Sequence, residues 1–315
     1  EDLEKIPMLQ RSDIEKKAEG FSYEVKEESG IPVIHSPLFT SGIGYLKVLF
    51  DFSVLPDEDI PYGALLKSVG GSQKMGEPGN FTGTFTASVK VLYEKLDFAF
   101  EMLEEILLRS KLTDEKRLGE ILDETMSRAR MRLENSSHSS AAMRAASYYS
   151  PLSSFYDRTG GIGFYQFLEK ITERCSKEEG YRLKLGKKLM EVAKTLFTAS
   201  NMTVSYTADE EGYGRLPAAL AAFKAVLPEG NGIRYPYEFK PELKNEGFRT
   251  ASQVNYVACC GTFGESAYTG ALKVLKVILN YEYLWVNLRV KGGAYGCMSS
   301  FGRNGETMLV SYRSI

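Results

Sequence analysis

The chain opens with a run of charged and apolar positions that reads as a charged helix and turn over residues 1–29, closing at Ser29-Gly30. From Tyr45 to Val54 the pattern changes to strict alternation. Leu46, Val48, Phe50, Phe52 and Val54 fall on one side, which predicts a strand with one face in a core. Thr84 to Lys90 repeats the period of two, with Phe85, Ala87 and Val89 together. Apolar residues then recur every three to four positions at Leu96, Phe100, Leu103 and Leu107, which is helical spacing. Thr113-Asp114 offers an N-cap to a further helix with the stripe Leu118, Ile121, Leu122, Met126, Ala129 and Leu133.

The small residues from Asn135 to Met143 predict a helix with a tight face against a neighbour. Gly160-Gly161 marks a turn before a helix that starts near Phe164. Helix Leu183–Phe197, strand Asn201–Thr207 and helix Pro217–Val226 complete a first unit. Strands, a helical run and a returning strand make this an α+β arrangement. Residues 229–246 lack periodicity and hold Gly and Pro near both ends, so they read as a linker. A second unit follows: a strand over Ser252–Cys260, a helix over Tyr268–Trp285, and a hairpin from Ala294–Phe301 to Glu306–Arg313 through Gly302-Arg-Asn-Gly305. The expected division is 1–29 connecting helix, 30–228 first unit, 229–246 linker and 247–315 second unit. The last is expected to be truncated relative to the first, since the later helices and returning strand of the first unit have no counterpart after the hairpin.

Composition narrows the class. The chain has 315 residues, 43% hydrophobic and 25% charged, with a net charge of −2. That balance lacks the basic surplus of a nucleic-acid binder, and no apolar run is long enough to span a bilayer. The acidic N-terminus has no apolar signal-peptide core and no initiator Met, so the chain is expected to begin inside a longer polypeptide. The four cysteines are too few for a disulfide framework and read as free thiols, with Cys259 and Cys260 on opposite faces of one strand.

Only two histidines occur, His35 and His138, and neither has a metal-binding partner at helical spacing; no metal ligand is nominated in this chain. Each reads as a structural or solvated histidine. Gly160-Gly161-Ile162-Gly163 lacks the Lys-Ser/Thr ending of a phosphate loop, and Gly70-Gly71 with Gly76–Gly79 reads as flexible loop. The cluster Arg289-Val-Lys-Gly-Gly-Ala-Tyr295-Gly296 stands apart. Its glycines let another backbone come close, its Arg offers fixed donors for a carbonyl or carboxylate, and its Tyr offers a neutral donor to an oxyanion. The same residues can also be a helix C-cap at Gly292 followed by a core tyrosine.

The motif Arg-x-Lys-Gly-Gly-Ala-Tyr-Gly resembles the signature of the C-terminal half of pitrilysin/insulinase-family zinc peptidases, closest to the presequence-protease branch. Agreement continues in order through Ile6-Pro7, Leu9, Asp13-Ile14, Tyr45–Pro56, Pro61-Tyr62, Leu118, Ile121-Leu122, Glu124, Gly160-Gly161-Ile162 and Ser311-Tyr312-Arg313. The resemblance implies two related α+β domains, each an antiparallel-rich sheet packed with helices, forming the non-catalytic half of a peptidase that encloses unfolded peptides. Zinc is then held by a separate N-terminal half of the same polypeptide. By the same resemblance Arg289 and Tyr295 are expected to bind substrate and stabilise the tetrahedral intermediate, and this segment alone is expected to be inactive. It implies a bacterial cytoplasmic protein, or a mitochondrial or plastid one in a eukaryote. The alternative is a zinc-less scaffold subunit of the same fold. Two departures are expected: Ser68–Gly83 is short and glycine-rich where the family has a longer helix and turn, and the end at Ile315 leaves out the last helices of the second domain.

Overall fold

A computed structural model describes residues 10, 12, 20, 22–66, 69–73, 81–250 and 253–314. Most of the expected N-terminal helix, with Ile6, Pro7, Leu9, Asp13 and Ile14, lies outside the described residues. From Glu24 onward that segment is a strand rather than the tail of a helix and turn.

Six strands form the larger sheet: β1 (Glu24–Glu28), β2 (Ile31–Pro37), β3 (Ile43–Asp51), β4 (Val69–Gln73), β5 (Phe81–Leu92) and β6 (Met202–Ala208). Their spatial order is β1-β2-β6-β3-β5-β4, antiparallel except for the parallel pair β2 and β6. Alternation in β3 works as the sequence predicts: Leu46, Val48 and Phe50 are fully buried. Val48 sits level with Ala87 and Val204, and Phe50 with Phe85 and Met202. The strand ends earlier than its alternation suggests. Asp51 accepts the Ser53 N–H at 2.7 Å and turns Phe52–Val54 into a single 3₁₀ turn that still buries Phe52 and Val54.

Among the described residues eight α-helices complete this unit: α1 (Ile60–Leu65), α2 (Leu96–Leu108), α3 (Glu115–Asn135), α4 (Ser137–Ala146), α5 (Pro151–Gly160), α6 (Ile162–Lys177), α7 (Tyr181–Leu196) and α8 (Glu210–Val226). The buried stripe of α2 (Leu96, Phe100, Leu103, Leu107) joins Leu216, Leu220 and Phe223 of α8 and Val192 and Leu196 of α7 over the sheet. The aromatic contacts Phe50–Phe197 at 5.2 Å and Phe100–Phe223 at 5.1 Å tie the layers together. Leu118 and Leu122 of α3, Phe164, Leu168 and Ile171 of α6, and Leu185 and Leu189 of α7 form a second cluster. Asp114 caps α3 through the Arg117 N–H at 2.9 Å. Asp209 caps α8 through the Gly212 N–H at 3.1 Å, which starts that helix well before Pro217.

The glycine-rich stretch read as a loop contains a strand, β4. Its glycines answer a packing demand: a Cβ at Gly83 would lie 2.4 Å from the Phe155 ring, and one at Gly71 would lie 2.9 Å from Leu152. Glycine here lets α5 press against the sheet. Gly76–Gly79 lies outside the described residues.

Residues 227–254 contain no helix or strand among the described positions. This strap is fastened to the first unit. Tyr235 N–H donates to the Ser53 carbonyl at 2.6 Å, Tyr237 Oη to Ser154 Oγ at 3.0 Å, and Arg144 Nε to Glu246 at 2.8 Å.

Beyond the strap, β7 (Asn255–Thr262), β8 (Gly296–Phe301) and β9 (Glu306–Ser314) form a smaller antiparallel sheet in the order β7-β9-β8. The β8–β9 turn carries Gly305 at φ 79, as a hairpin glycine should. Helix α9 (Gly270–Ile278) continues in wider π-type turns over Leu279–Lys291. The small residues of α4 meet this second sheet: Cys260 Sγ donates to the Ala142 carbonyl at 3.5 Å, and the His138 ring lies 5.3 Å from that of Tyr312. No described helix is long and apolar enough to cross a membrane.

Candidate functional site

Arg289 lies near the end of the widened helix and Tyr295 just before β8, with the two glycines between them. Gly293 is left-handed at φ 74. Around it the Gly293 N–H donates to the Arg289 carbonyl at 3.1 Å and the Ala294 N–H to the Leu288 carbonyl at 2.9 Å. These bonds end the helix and reverse the chain. A Cβ at Gly292 would sit 2.8 Å from the Leu288 carbonyl oxygen. The helix-cap reading of the glycines is therefore correct, but the core-tyrosine reading is not: Tyr295 is 56% exposed.

The reversal brings the two sequence-predicted residues together. The Arg289 guanidinium carbon lies 4.3 Å from the Trp285 ring centroid and 5.3 Å from that of Tyr295, and its Nη1 donates to the Tyr295 carbonyl. Indole stacking and the carbonyl contact fix the planar group against its own chain. Its charge is felt locally: burial pushes the Cys297 thiol up, while Arg289 pulls it the other way.

Four further residues border the cluster. The Tyr295 N–H donates to the Arg313 carbonyl at 3.3 Å, and the Arg313 guanidinium carbon lies 5.6 Å from the Tyr295 ring centroid. Tyr312 meets Tyr295 edge-on at 5.8 Å. Gly296 must be glycine because the Tyr312 ring fills the position of its Cβ, with atoms 2.2–2.4 Å away. His138 stacks on Tyr312 from α4. Sequence reasoning placed Ser311-Tyr312-Arg313 and Trp285 without assigning them roles. Their proximity depends on strand pairing, which spacing does not reveal.

Neither histidine sits in a ligand set. His35 is fully buried, its Nε2 at 3.0 Å from the Ala208 carbonyl and its ring 4.2 Å from Tyr213. Among the described residues no three His, Cys, Asp or Glu side chains converge to hold a metal ion, so zinc does not fit the residues described. The hollow bordered by Lys194, Thr198 and Arg234 and the one bordered by Cys175 and Arg182 include neither Arg289 nor Tyr295. The arrangement around Tyr295 is an exposed platform: the Tyr295 phenol beside the Tyr312 ring, two guanidiniums and an indole, suited to holding an extended chain by its carbonyls or carboxylates.

A family profile for the region associated with peptidases of family M16, subfamily C, matches residues 1–76 and 68–171, and one described as "PreP C-terminal domain" matches residues 245–315. Protein HypA of Clostridium perfringens is 31% identical over 99% of this chain and 35% of its own length. Presequence protease 1, chloroplastic/mitochondrial, of Arabidopsis thaliana is 26% identical over 99% of this chain and 32% of its own length. The chain thus spans about a third of the length of these relatives. The crystal structure of a peptidase M16 inactive domain from Pseudomonas fluorescens shares the fold, with a TM-score of 0.51 and 15% identity over 92% of this chain and 74% of that one.

Proposed function

We infer the function from one premise: the chain belongs to the family associated with subfamily C of the M16 peptidases and is the C-terminal half of a presequence-protease-like M16 peptidase. We propose that this half encloses unfolded peptides and presents Arg289 and Tyr295 to them, the N-terminal half of the same polypeptide supplying zinc and the water-activating chemistry. The chain divides, in this reading, into a first α+β unit over 30–228, a strap over 229–246 and a second unit over 247–315.

One observation carries the proposal. The only residue pair nominated from sequence meets in space, with Tyr295 exposed and Arg289 held against it by Trp285 and the Tyr295 carbonyl. A scaffold has no chemical use for a guanidinium and a phenol set out in this way. In the reaction Arg289 holds a substrate carbonyl or carboxylate, and the Tyr295 hydroxyl donates to the oxyanion as the carbonyl carbon becomes tetrahedral. The 31% identity to a clostridial protein supports a bacterial origin, and a cytoplasmic location is part of the proposal.

The test is Tyr295→Phe in the complete zinc-loaded polypeptide. Loss of one oxyanion donor lowers kcat on the order of 10²-fold. Unchanged kcat at wild-type zinc content rejects the role and leaves the scaffold reading. Arg289→Ala raises KM and lowers kcat, and the 315-residue chain alone hydrolyses nothing.

A further inference from the structure

Arg313 is held in an unusual way. It adopts φ 53, a left-handed conformation that a non-glycine residue enters only at a cost. Its carbonyl is committed to the Tyr295 N–H. Its guanidinium carbon lies 5.6 Å from the Tyr295 ring centroid, while that of Arg289 lies 5.3 Å from it. Two cations therefore share one exposed phenol.

Neither cation faces a carboxylate among the described residues. Eight other arginines, among them Arg109, Arg144 and Arg158, do form ion pairs; what sets Arg289 and Arg313 apart is that both flank one exposed ring. Within the same described set the Arg289 guanidinium meets a carbonyl and aromatic rings, with the Cys297 thiol in its field, and that of Arg313 meets the Tyr295 ring. Residues 253–315 contain six Lys and Arg against three Glu in a chain that is negative overall. Guanidiniums without a carboxylate on one exposed platform attract an anion, and the planar fork of Arg matches a carboxylate best.

We propose that Arg313, acting with Arg289 over Tyr295, is a carboxylate-binding site that selects peptides by an acidic side chain or by their C-terminal carboxylate. The proposal rests on the peptide-holding reading above and adds a specificity to it. No bond is made or broken. The carboxylate accepts N–H donors, and it exchanges bound water for them.

The experiment uses the complete polypeptide, stripped of zinc with a chelator so that nothing is cleaved, and four fluorescent unfolded peptides of one sequence: Glu or Gln at a central position, each with a free or an amidated C-terminus. Anisotropy titration yields the affinity ratios. A charge-assisted Arg–carboxylate contact predicts roughly tenfold tighter binding of the charged member of one pair. A Glu/Gln difference assigns the site to side chains, and an acid/amide difference assigns it to the chain terminus. Arg313→Gln brings the ratio to about one. Arg313→Lys keeps the charge without the fork and gives an intermediate ratio, so the site is tested even if the Gln variant is unstable. Equal binding of all four peptides overturns the proposal, as does a ratio that survives Arg313→Gln. If equal binding is lost on Arg289→Ala, peptide holding stands and only the carboxylate site falls; if no peptide binds, both fall.

Discussion

Both carboxylate oxygens of Asp157 accept the backbone N–H of Gly163 at 3.2 Å, so the first turn of α6 carries its own anion. Asp157 is 2% exposed, and Arg144 donates to its Oδ2 at 2.7 Å. This explains Gly160-Gly161-Ile162-Gly163 without any phosphate: the helix start that could have held one is filled from within the chain. A Cβ at Gly163 would stand 2.5 Å from Asp157 Oδ2, and one at Gly161 would stand 2.6 Å from Oδ1. Gly163→Ala is therefore expected to destabilise the chain by about 1–3 kcal/mol despite the better helix propensity of alanine. Urea unfolding of the two proteins measures it, and an unchanged midpoint contradicts the packing argument.

The strap is expected to loosen in acid. Arg144 donates to Glu246 at 2.8 and 3.2 Å, Lys244 sits 3.0 Å from it, and Tyr148 donates as well. The Arg144 hydrogen bonds lead in holding the Glu246 carboxyl at about 2, against 4.5 for a free one. A carboxyl whose folded value is lowered adds stability that is complete above the unfolded value and fades as pH falls towards the folded one. The contribution should thus decline from pH 4.5 towards pH 2. Melting temperature against pH shows this in the wild type, and the slope flattens over that window in Glu246→Gln.

Gly296→Ala is expected to displace the Tyr312 ring, since the added carbon would overlap three of its atoms. The cost is about 1–3 kcal/mol. Shortening the obstacle with Tyr312→Leu should recover part of it. A double-mutant cycle reports the coupling, and strictly additive losses would disprove direct contact.

The adjacent thiols should behave differently. Cys259 is exposed, whereas burial pushes the Cys260 thiol up to about 11. With little thiolate and poor access, Cys260 reacts more slowly than its neighbour, by about tenfold or more at pH 8. Timed iodoacetamide labelling followed by peptide mass spectrometry measures the ratio; equal rates would mean that β7 does not pack on α4 as described.

Much of the fold was legible wherever burial imposed a period. The β3 face, the stripes of α2 and α3, the Asp114 cap and the β8–β9 turn all follow from local sequence. The misses share a cause. Glu24–Glu28 is a mostly exposed edge strand of charged residues whose order comes from pairing with β2, and no hydrophobic repeat announces it. Gly71 and Gly83 look like loop residues until Leu152 and Phe155 are seen pressing on them. Arg289 and Tyr295 were visible because six positions separate them and a glycine turn closes that gap. Arg313 was not: its approach to Tyr295 needs β8 and β9 in register and a left-handed backbone that residue type does not foretell.

The order β7-β9-β8 has a consequence for synthesis. Tyr256 and Gly296 are both paired, through different strands, with Tyr312. As the chain leaves the ribosome, β7 and then β8 emerge with no described neighbour to zip onto, and both wait for residues 306–314. The platform around Tyr295 is thus among the last parts of this segment to acquire its shape, and a stalled or clipped nascent chain would lose both strand pairings together rather than one at a time.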